Sequence, residues 1–326
     1  MTPQAKDDMV VAMRRIMSGD MTDSDIESFL MDLSARGETV DELTGAAQVM
    51  REKCIPITAP PDTVDCCGTG GDGQHTLNIS TAVALVSAAC GVPVAKHGNR
   101  SASSKSGAAD VLEQLGVHLT LSPQHLSESL TWFHFCFLMA PVHHPSMKYV
   151  ANVRKKIGKR TLFNLLGPLA NPAGASRQLM GVYDDAWRRP MAETLKNLGT
   201  VCAWVVHGTD GLDEITTTGD THVSILRGGD ITEAILSPEQ VGLNYADPQD
   251  LKGGTAAENA QALRELLQGR LSAYRDIVRL NVAAVLNIHG TCPDLREGVE
   301  RAAHAIDSGR AHQILNDYIL FSQEHA

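Results

Sequence analysis

The sequence predicts an α/β protein: a small amino-terminal helical domain, then a large domain with a central, mostly parallel sheet flanked by helices. Three observations support this fold class. Apolar positions recur at helical spacing between residues 5 and 53, and from Val64 onward short apolar runs alternate with helical windows. The 326 residues, 43% hydrophobic and 20% charged, also suffice for one large core or two smaller ones, which excludes a disordered chain.

In chain order, Thr22 can cap a helix whose Ile26, Phe29, Leu30 and Leu33 share a face before Gly37 stops it. Thr39 with Glu42 forms a capping box, and Leu43, Ala46, Ala47 and Met50 make the next apolar stripe. A proline-bearing linker, Cys54 to Thr63, separates these helices from the strand candidates VDCCG, VPVAK, FCFLMAP, QLMGVY and VCAWVVHG. Their alternation with helices is the signature of a largely parallel sheet. Arg227-Gly228-Gly229-Asp230 reads as a hairpin turn, and the chain after Asp250 reads as helical, opening on a Thr255/Glu258 capping box. There is no internal repeat and no low-complexity tract.

The net charge is −10, from 28 basic and 38 acidic residues, so a broad footprint for nucleic acid or an anionic membrane is not expected. An anionic ligand must then be met locally. The 4% aromatic share argues against a stacking platform for single strands. The amino terminus lacks the layout of a secretory signal and Thr81 to Ala95 is too short to span a bilayer, so a cytoplasmic chain is expected. The seven cysteines show no Cys-x-x-Cys pair and read as reduced, mostly buried small hydrophobes.

Gly68-Thr69-Gly70-Gly71-Asp72-Gly73 formally satisfies the dinucleotide fingerprint. Two features exclude that site. The next strand ends in Lys96-His97 rather than in the acid, about twenty positions on, that holds a ribose diol, and the helix starts too late, with its expected cap at Ser80 or Thr81. With no lysine after the glycines, a P-loop is excluded as well. What remains is a backbone nest able to cradle a phosphate, in which Asp72 would repel the anion unless a metal bridges them. A glycine turn closed by an Asx-type bond fits the loop alone equally well.

The loop Lys96 to Gly107, rich in cations, glycine and serine, favours the anion site, because parallel neighbouring strands bring both loops to one sheet edge. Asp213-Glu214, beyond a strand ending at His207, adds two hard oxygen ligands suited to Mg²⁺, although adjacent acids in a turn are more often simply solvated. Zinc spacing and a nucleophile elbow are both lacking, so covalent catalysis is not indicated.

Together the motifs DCCGTGGDG at 65–73, NIST at 78–81, KHGNRSASSKSGAADVLE at 96–113, HPSMKYVANVRKKIGKRTLFNLLGPLANP at 144–172 and HGTDGLDEI at 207–215 resemble the anthranilate phosphoribosyltransferase family of tryptophan biosynthesis, across almost the whole chain. Pyrimidine nucleoside phosphorylases share the fold and first loop but differ at KHGNR. A relative that keeps the fold but binds nucleic acid is a more distant alternative, against which the intact motifs and acidic charge argue.

The resemblance implies a Mg²⁺-dependent pentosyltransferase that moves the phosphoribosyl group of phosphoribosyl diphosphate to the amine of anthranilate. On matching positions, Gly68, Gly71, Asp72, Thr76, Asn78, Ile79, Ser80 and Thr81 would face phosphoribosyl diphosphate. Lys96, His97, Gly98, Asn99, Arg100, Ser101, Ala102, Ser103, Ser104 and Ala108 would wrap it; the family often carries Ser or Thr at the last of these. Gly68, Asn99 and Arg154 would contact anthranilate, with His97, His144 and Pro168 along its channel, and Ser80, Asp213 and Glu214 would hold Mg²⁺. If Pro145 starts one unbroken helix, Arg154 lies about 15 Å along it from His144, too far for a single clamp. Lys96 would act electrostatically on the leaving diphosphate, with no covalent residue.

The resemblance further implies a homodimer through the amino-terminal helices, with small-molecule substrates and neither nucleic acid nor membrane as partner. Domain limits are expected at 1–63, joined by part of 155–178, and 64–326. An attached glutaminase domain is not expected.

Overall fold

The computed structural model describes residues 2–101 and 105–326. Its first three helices are α1 (Lys6–Ser18), α2 (Asp23–Arg36) and α3 (Val40–Lys53). Thr22 Oγ1 caps α2 by accepting the Asp25 N–H at 3.2 Å. The α3 capping box is reciprocal, with Thr39 N donating to Glu42 Oε2 at 2.9 Å and Glu42 N donating to Thr39 Oγ1 at 3.3 Å. The buried stripes Met13/Ile16, Leu30/Leu33 and Leu43/Met50 pack into one cluster with α8 (Lys148–Ile157), α9 (Leu162–Leu166) and α10 (Arg188–Asn197).

The strands are β1 (Val64–Gly68), β2 (Val94–Gly98), β3 (Phe135–Met139), β4 (Arg177–Gly181), β5 (Cys202–Gly208), β6 (Thr221–Arg227) and β7 (Asp230–Leu236). They form one sheet of order β3-β2-β1-β4-β5-β6-β7. The pairs from β3 to β5 are parallel and the two beyond are antiparallel, so the sheet is mostly parallel as expected and ends in the expected hairpin. Side chains alternate between the faces: Cys66, Leu179, Trp204 and Val206 enter one core, while Met180, Val182, Ala203 and Val205 enter the core shared with the amino-terminal helices. The first core is closed by α4 (Ile79–Ala89), α5 (Ala108–Gln114), α6 (Pro123–Phe133), α11 (Ala256–Leu267), α12 (Ala273–His289), α13 (Leu295–Asp307) and α14 (Arg310–Glu324).

Strand order positions the site. From β1 the chain winds through β2 to β3 on one side, then returns to β4 on the other, so the carboxyl ends of β1 and β4 flank the switch point where open α/β sheets bind ligands.

Three local expectations are corrected. The α4 helix begins at Ile79, ahead of the expected cap at Ser80 or Thr81, because the Asn78 carbonyl already accepts the Ala82 N–H at 3.3 Å. The Asn78 side chain is occupied by Asn259 Nδ2 at 2.8 Å and makes no cap bond. FCFLMAP stops being a strand at Met139, since Ala140 and Pro141 open the short helix α7 (Ala140–His143). Pro145 starts a separate 3₁₀ turn, Pro145–Met147, ahead of α8 rather than one regular helix.

Candidate active site

A cavity of about 780 Å³ opens at this switch point, within the range of small-molecule sites. Its wall joins both glycine-rich loops, the start of α4, the Asp213-Glu214 turn, and Arg154 and Ala151 of α8. Of the residues expected at the substrates or the metal, Gly68, Gly71, Asp72, Thr76, Asn78, Ile79, Ser80, Lys96, His97, Gly98, Asn99, Arg100, Ser101, Ala108, Arg154, Asp213 and Glu214 line it, as do His144 and Pro168. Thr81 does not, being buried one position behind Ser80 in α4. Ala102, Ser103 and Ser104 lie outside the described residues.

The first loop is shaped around Asp213. Gly68 and Gly181 are register partners at the ends of β1 and β4, and Asp213 fills the space that two side chains would take. A Cβ on Gly68 would stand 2.2 Å from Asp213 Oδ2, and one on Gly181 would stand 1.6 Å from the Asp213 carbonyl oxygen. Asp213 Oδ2 in turn accepts the Gly70 N–H at 2.7 Å. The Asx-type bond is present, Gln74 N to Asp72 Oδ1 at 3.1 Å, and it closes the glycine turn within the cavity wall.

Burial, then the charges of Asp72 and Glu214, push the Asp213 carboxyl well above the usual range. Burial first, with Asp72 adding, pushes Glu214 up to about 7, against the opposing pull of Lys96. Glu214 Oε1 accepts the Ser80 N–H at the start of α4 at 3.1 Å. Lys96, 2% exposed, donates to Cys66 O at 2.8 Å and to Ser80 Oγ at 3.0 Å. Below it lies the fully buried Asp65, which accepts the His97 N–H at 3.3 Å.

Of the three histidines in the wall, the buried pair His97 and His144 is neutral. His97 Nδ1 bonds the Gly167 carbonyl at 3.2 Å, so the proton sits on that nitrogen and Nε2 is left without a partner among the described residues. Burial, reinforced by His144, lowers His97 to about 3; burial and His143 lower His144 to about 4. The rings are 5.1 Å apart, and both remain uncharged at neutral pH.

Arg154 differs from the other arginine of the wall. It is half-buried, with its guanidinium carbon 5.5 Å from the Phe163 ring centre, and no carboxylate pairs with it among the described residues. Arg100 does have such partners: it bonds Glu113 at 2.8 Å and Asp110 at 3.1 Å. The second loop therefore offers less free positive charge than its composition suggests. Asp110 also holds the loop, accepting the N–H groups of Ser101 at 3.1 Å and Gly107 at 2.9 Å.

Two residues of this site carry no signal of their own in the sequence: Asp65, which accepts the His97 N–H, and Phe163, which lies against the Arg154 guanidinium. Both lie inside the quoted motifs, but their partners come from other strands and helices.

Residues 60–312 match the model of the glycosyl transferase family, a/b domain, and residues 5–54 match that of the glycosyl transferase family, helical bundle domain. The anthranilate phosphoribosyltransferase of Azospirillum brasilense is 58% identical over 304 residues, covering 93% of this chain and 85% of its own. The crystal structure of anthranilate phosphoribosyltransferase from Thermus thermophilus superposes with a TM-score of 0.94 at 42% identity, covering 99% of this chain and 97% of that one. The Saccharomyces cerevisiae enzyme, solved in complex with PRPP and Mg, gives a TM-score of 0.88 at 27% identity, over 98% of this chain and 92% of that one.

Proposed function

The chain belongs to the anthranilate phosphoribosyltransferase family of glycosyl transferases, and from that premise we propose how its cavity divides between the two substrates. The reaction is transfer of the phosphoribosyl group of PRPP (phosphoribosyl diphosphate) to the amine of anthranilate, giving N-(5-phosphoribosyl)anthranilate and diphosphate, a step of tryptophan biosynthesis. The observation that carries the division is the guanidinium of Arg154, without a carboxylate partner among the described residues, in the same cavity as two glycine-rich loops and a carboxyl pair.

Arg154 takes the anthranilate carboxylate, because a half-buried guanidinium that rests on the Phe163 ring and pairs with no carboxylate among the described residues gains most from a planar anion that accepts two parallel bonds. The loops Gly68–Gly73 and Lys96–Ser104, with the start of α4, take PRPP; backbone N–H groups and Lys96 bind the oxygens whose negative charge grows as diphosphate departs. In this division Asn99 and Gly68 would contact anthranilate and His97, His144 and Pro168 would line its channel, all five being in the cavity wall. The protein aligns amine and anomeric carbon and supplies no nucleophile of its own.

The acidic pair fits Mg²⁺. Asp213 and Glu214 are hard oxygen donors beside Ser80, and the crowding that raises both carboxyls is the environment a divalent cation would relieve. No cluster of three or more His, Cys, Asp or Glu arranged to hold a metal occurs among the described residues, in keeping with an ion completed by substrate phosphates. When bound, Mg²⁺ neutralises charge on the diphosphate.

We also propose domain limits at 1–63, joined by part of 155–178, and 64–326. A homodimer would form through α1 and α2, where Val11 and Met31 are exposed. A cytoplasmic location is proposed too; among the described residues no helix is long and apolar enough to cross a membrane.

The test is loss of anthranilate fluorescence on mixing with PRPP and Mg²⁺, with chelated and Asp213→Ala controls. Loss that chelation and the substitution both abolish supports the assignment. An unchanged signal with folded protein that phosphorolyses thymidine or uridine overturns it.

A further inference from the structure

Arg160 stands outside the cavity yet grips the loop that forms part of its wall. Its Nη2 donates to the Gly71 carbonyl, and its guanidinium carbon lies 4.0 Å from the centre of the Tyr183 ring, within cation–π range. Tyr183 is tied to the same loop, since its N–H donates to Thr69 Oγ1 at 3.0 Å while Thr69 N donates to Gly181 O at 2.9 Å. From the helical side, Ser34 Oγ of α2 donates to the Arg160 carbonyl at 3.2 Å. One residue thus joins the amino-terminal helices, the chain leaving β4 and the first glycine loop.

Peptide geometry gives this contact a consequence for the ligand. The Gly71 carbonyl and the Asp72 N–H belong to one planar trans peptide and point in opposite directions. Gly71 and Asp72 line the cavity and Arg160 does not, so a carbonyl drawn toward Arg160 turns the Asp72 N–H inward. That N–H has no acceptor among the described residues, and Arg160 is the one donor to the Gly71 carbonyl among them. Gly70 and Gly71, at φ +70° and +75°, leave this peptide free to rotate once the guanidinium is gone.

We propose that Arg160 is a positioning residue for PRPP: by holding the Gly71 carbonyl it aims the Asp72 N–H at the diphosphate. The proposal rests on the functional reading given above. It is tested by calorimetric titration of PRPP with Mg²⁺ into the wild-type protein and Arg160→Met, beside steady-state kinetics for both substrates.

The variant binds PRPP about tenfold more weakly, as loss of one aligned donor to an anion requires, with KM for PRPP raised in parallel. KM for anthranilate and the melting temperature stay at their wild-type values. Arg160→Lys keeps a donor without the planar stack and recovers part of the loss. Tyr183→Leu, which leaves Arg160 without its platform, weakens PRPP binding in the same direction. Wild-type affinity in Arg160→Met, or equal weakening of both substrates, overturns the proposal while the functional reading stands. Wild-type protein that binds no PRPP removes both.

Discussion

Gly68→Ala inserts one methyl group at the point where the two strand ends and the acidic turn meet. Gly68 has an ordinary backbone angle, so alanine is conformationally acceptable there and the whole effect comes from contact. The new Cβ would lie 2.2 Å from Asp213 Oδ2 and 2.7 Å from Asp213 Cγ. Neither partner can retreat: β1 is paired in register with β4, and the Asp213 backbone is wedged against Gly181. The carboxyl must therefore rotate and give up the Gly70 N–H it accepts at 2.7 Å. Overpacking costs about 1–3 kcal/mol, and the lost hydrogen bond about 0.5–1.5 kcal/mol more, because the exposed Gly70 N–H can turn to water. If at least about 2 kcal/mol of this falls on the organised site, kcat/KM for PRPP falls at least about thirtyfold, at about 1.4 kcal/mol per factor of ten. The fluorescence assay at varied PRPP reads it, with circular dichroism to verify folding. A variant within about twofold of wild type would refute the idea that Gly68 is kept small to seat Asp213.

Three further outcomes follow from the same geometry. Gly181→Ala sets its Cβ 1.6 Å from a backbone oxygen that no side-chain rotation can move, so the damage is to stability: about 3 kcal/mol or more in urea denaturation. Arg154→Gln removes a charge-assisted pair with the acceptor carboxylate and raises KM for anthranilate about 10- to 100-fold, leaving PRPP binding in calorimetry unchanged. His97, lowered by burial to about 3, binds no proton in the folded state where the unfolded state does, from pH 6.5 downward. Its contribution to stability is complete above pH 6.5 and is lost as pH falls toward 3, at up to about 1.4 kcal/mol per pH unit. The stability difference between wild type and His97→Gln should shrink accordingly between about pH 6.5 and 4; a constant difference in urea titrations would show that His97 takes up a proton while folded.

How much of this was legible in the sequence depended on how local each signal is. Capping boxes at Thr39 and Thr255, the stop at Gly37 and the hairpin at Gly228-Gly229 act within a few residues, and each is where the pattern put it. Composition is silent even about near neighbours: the charge of Arg100 is met by Asp110 and Glu113, a pairing that the loop's sequence alone does not specify. The β1–β4 pairing is different in kind. Nothing in HGTDGLDEI or QLMGVY says that Asp213 will lie between Gly68 and Gly181, because that follows from a strand order known only once the sheet has formed. The family motifs could mark these glycines without explaining them. With the sheet formed, Gly68 is small because a carboxyl needs its space, and the Gly71 peptide is oriented because Arg160 arrives from the helical side. Residues separated by 89 to 143 positions thus set the shape of one short loop, and that loop's chemistry belongs to the assembled fold rather than to its glycines alone.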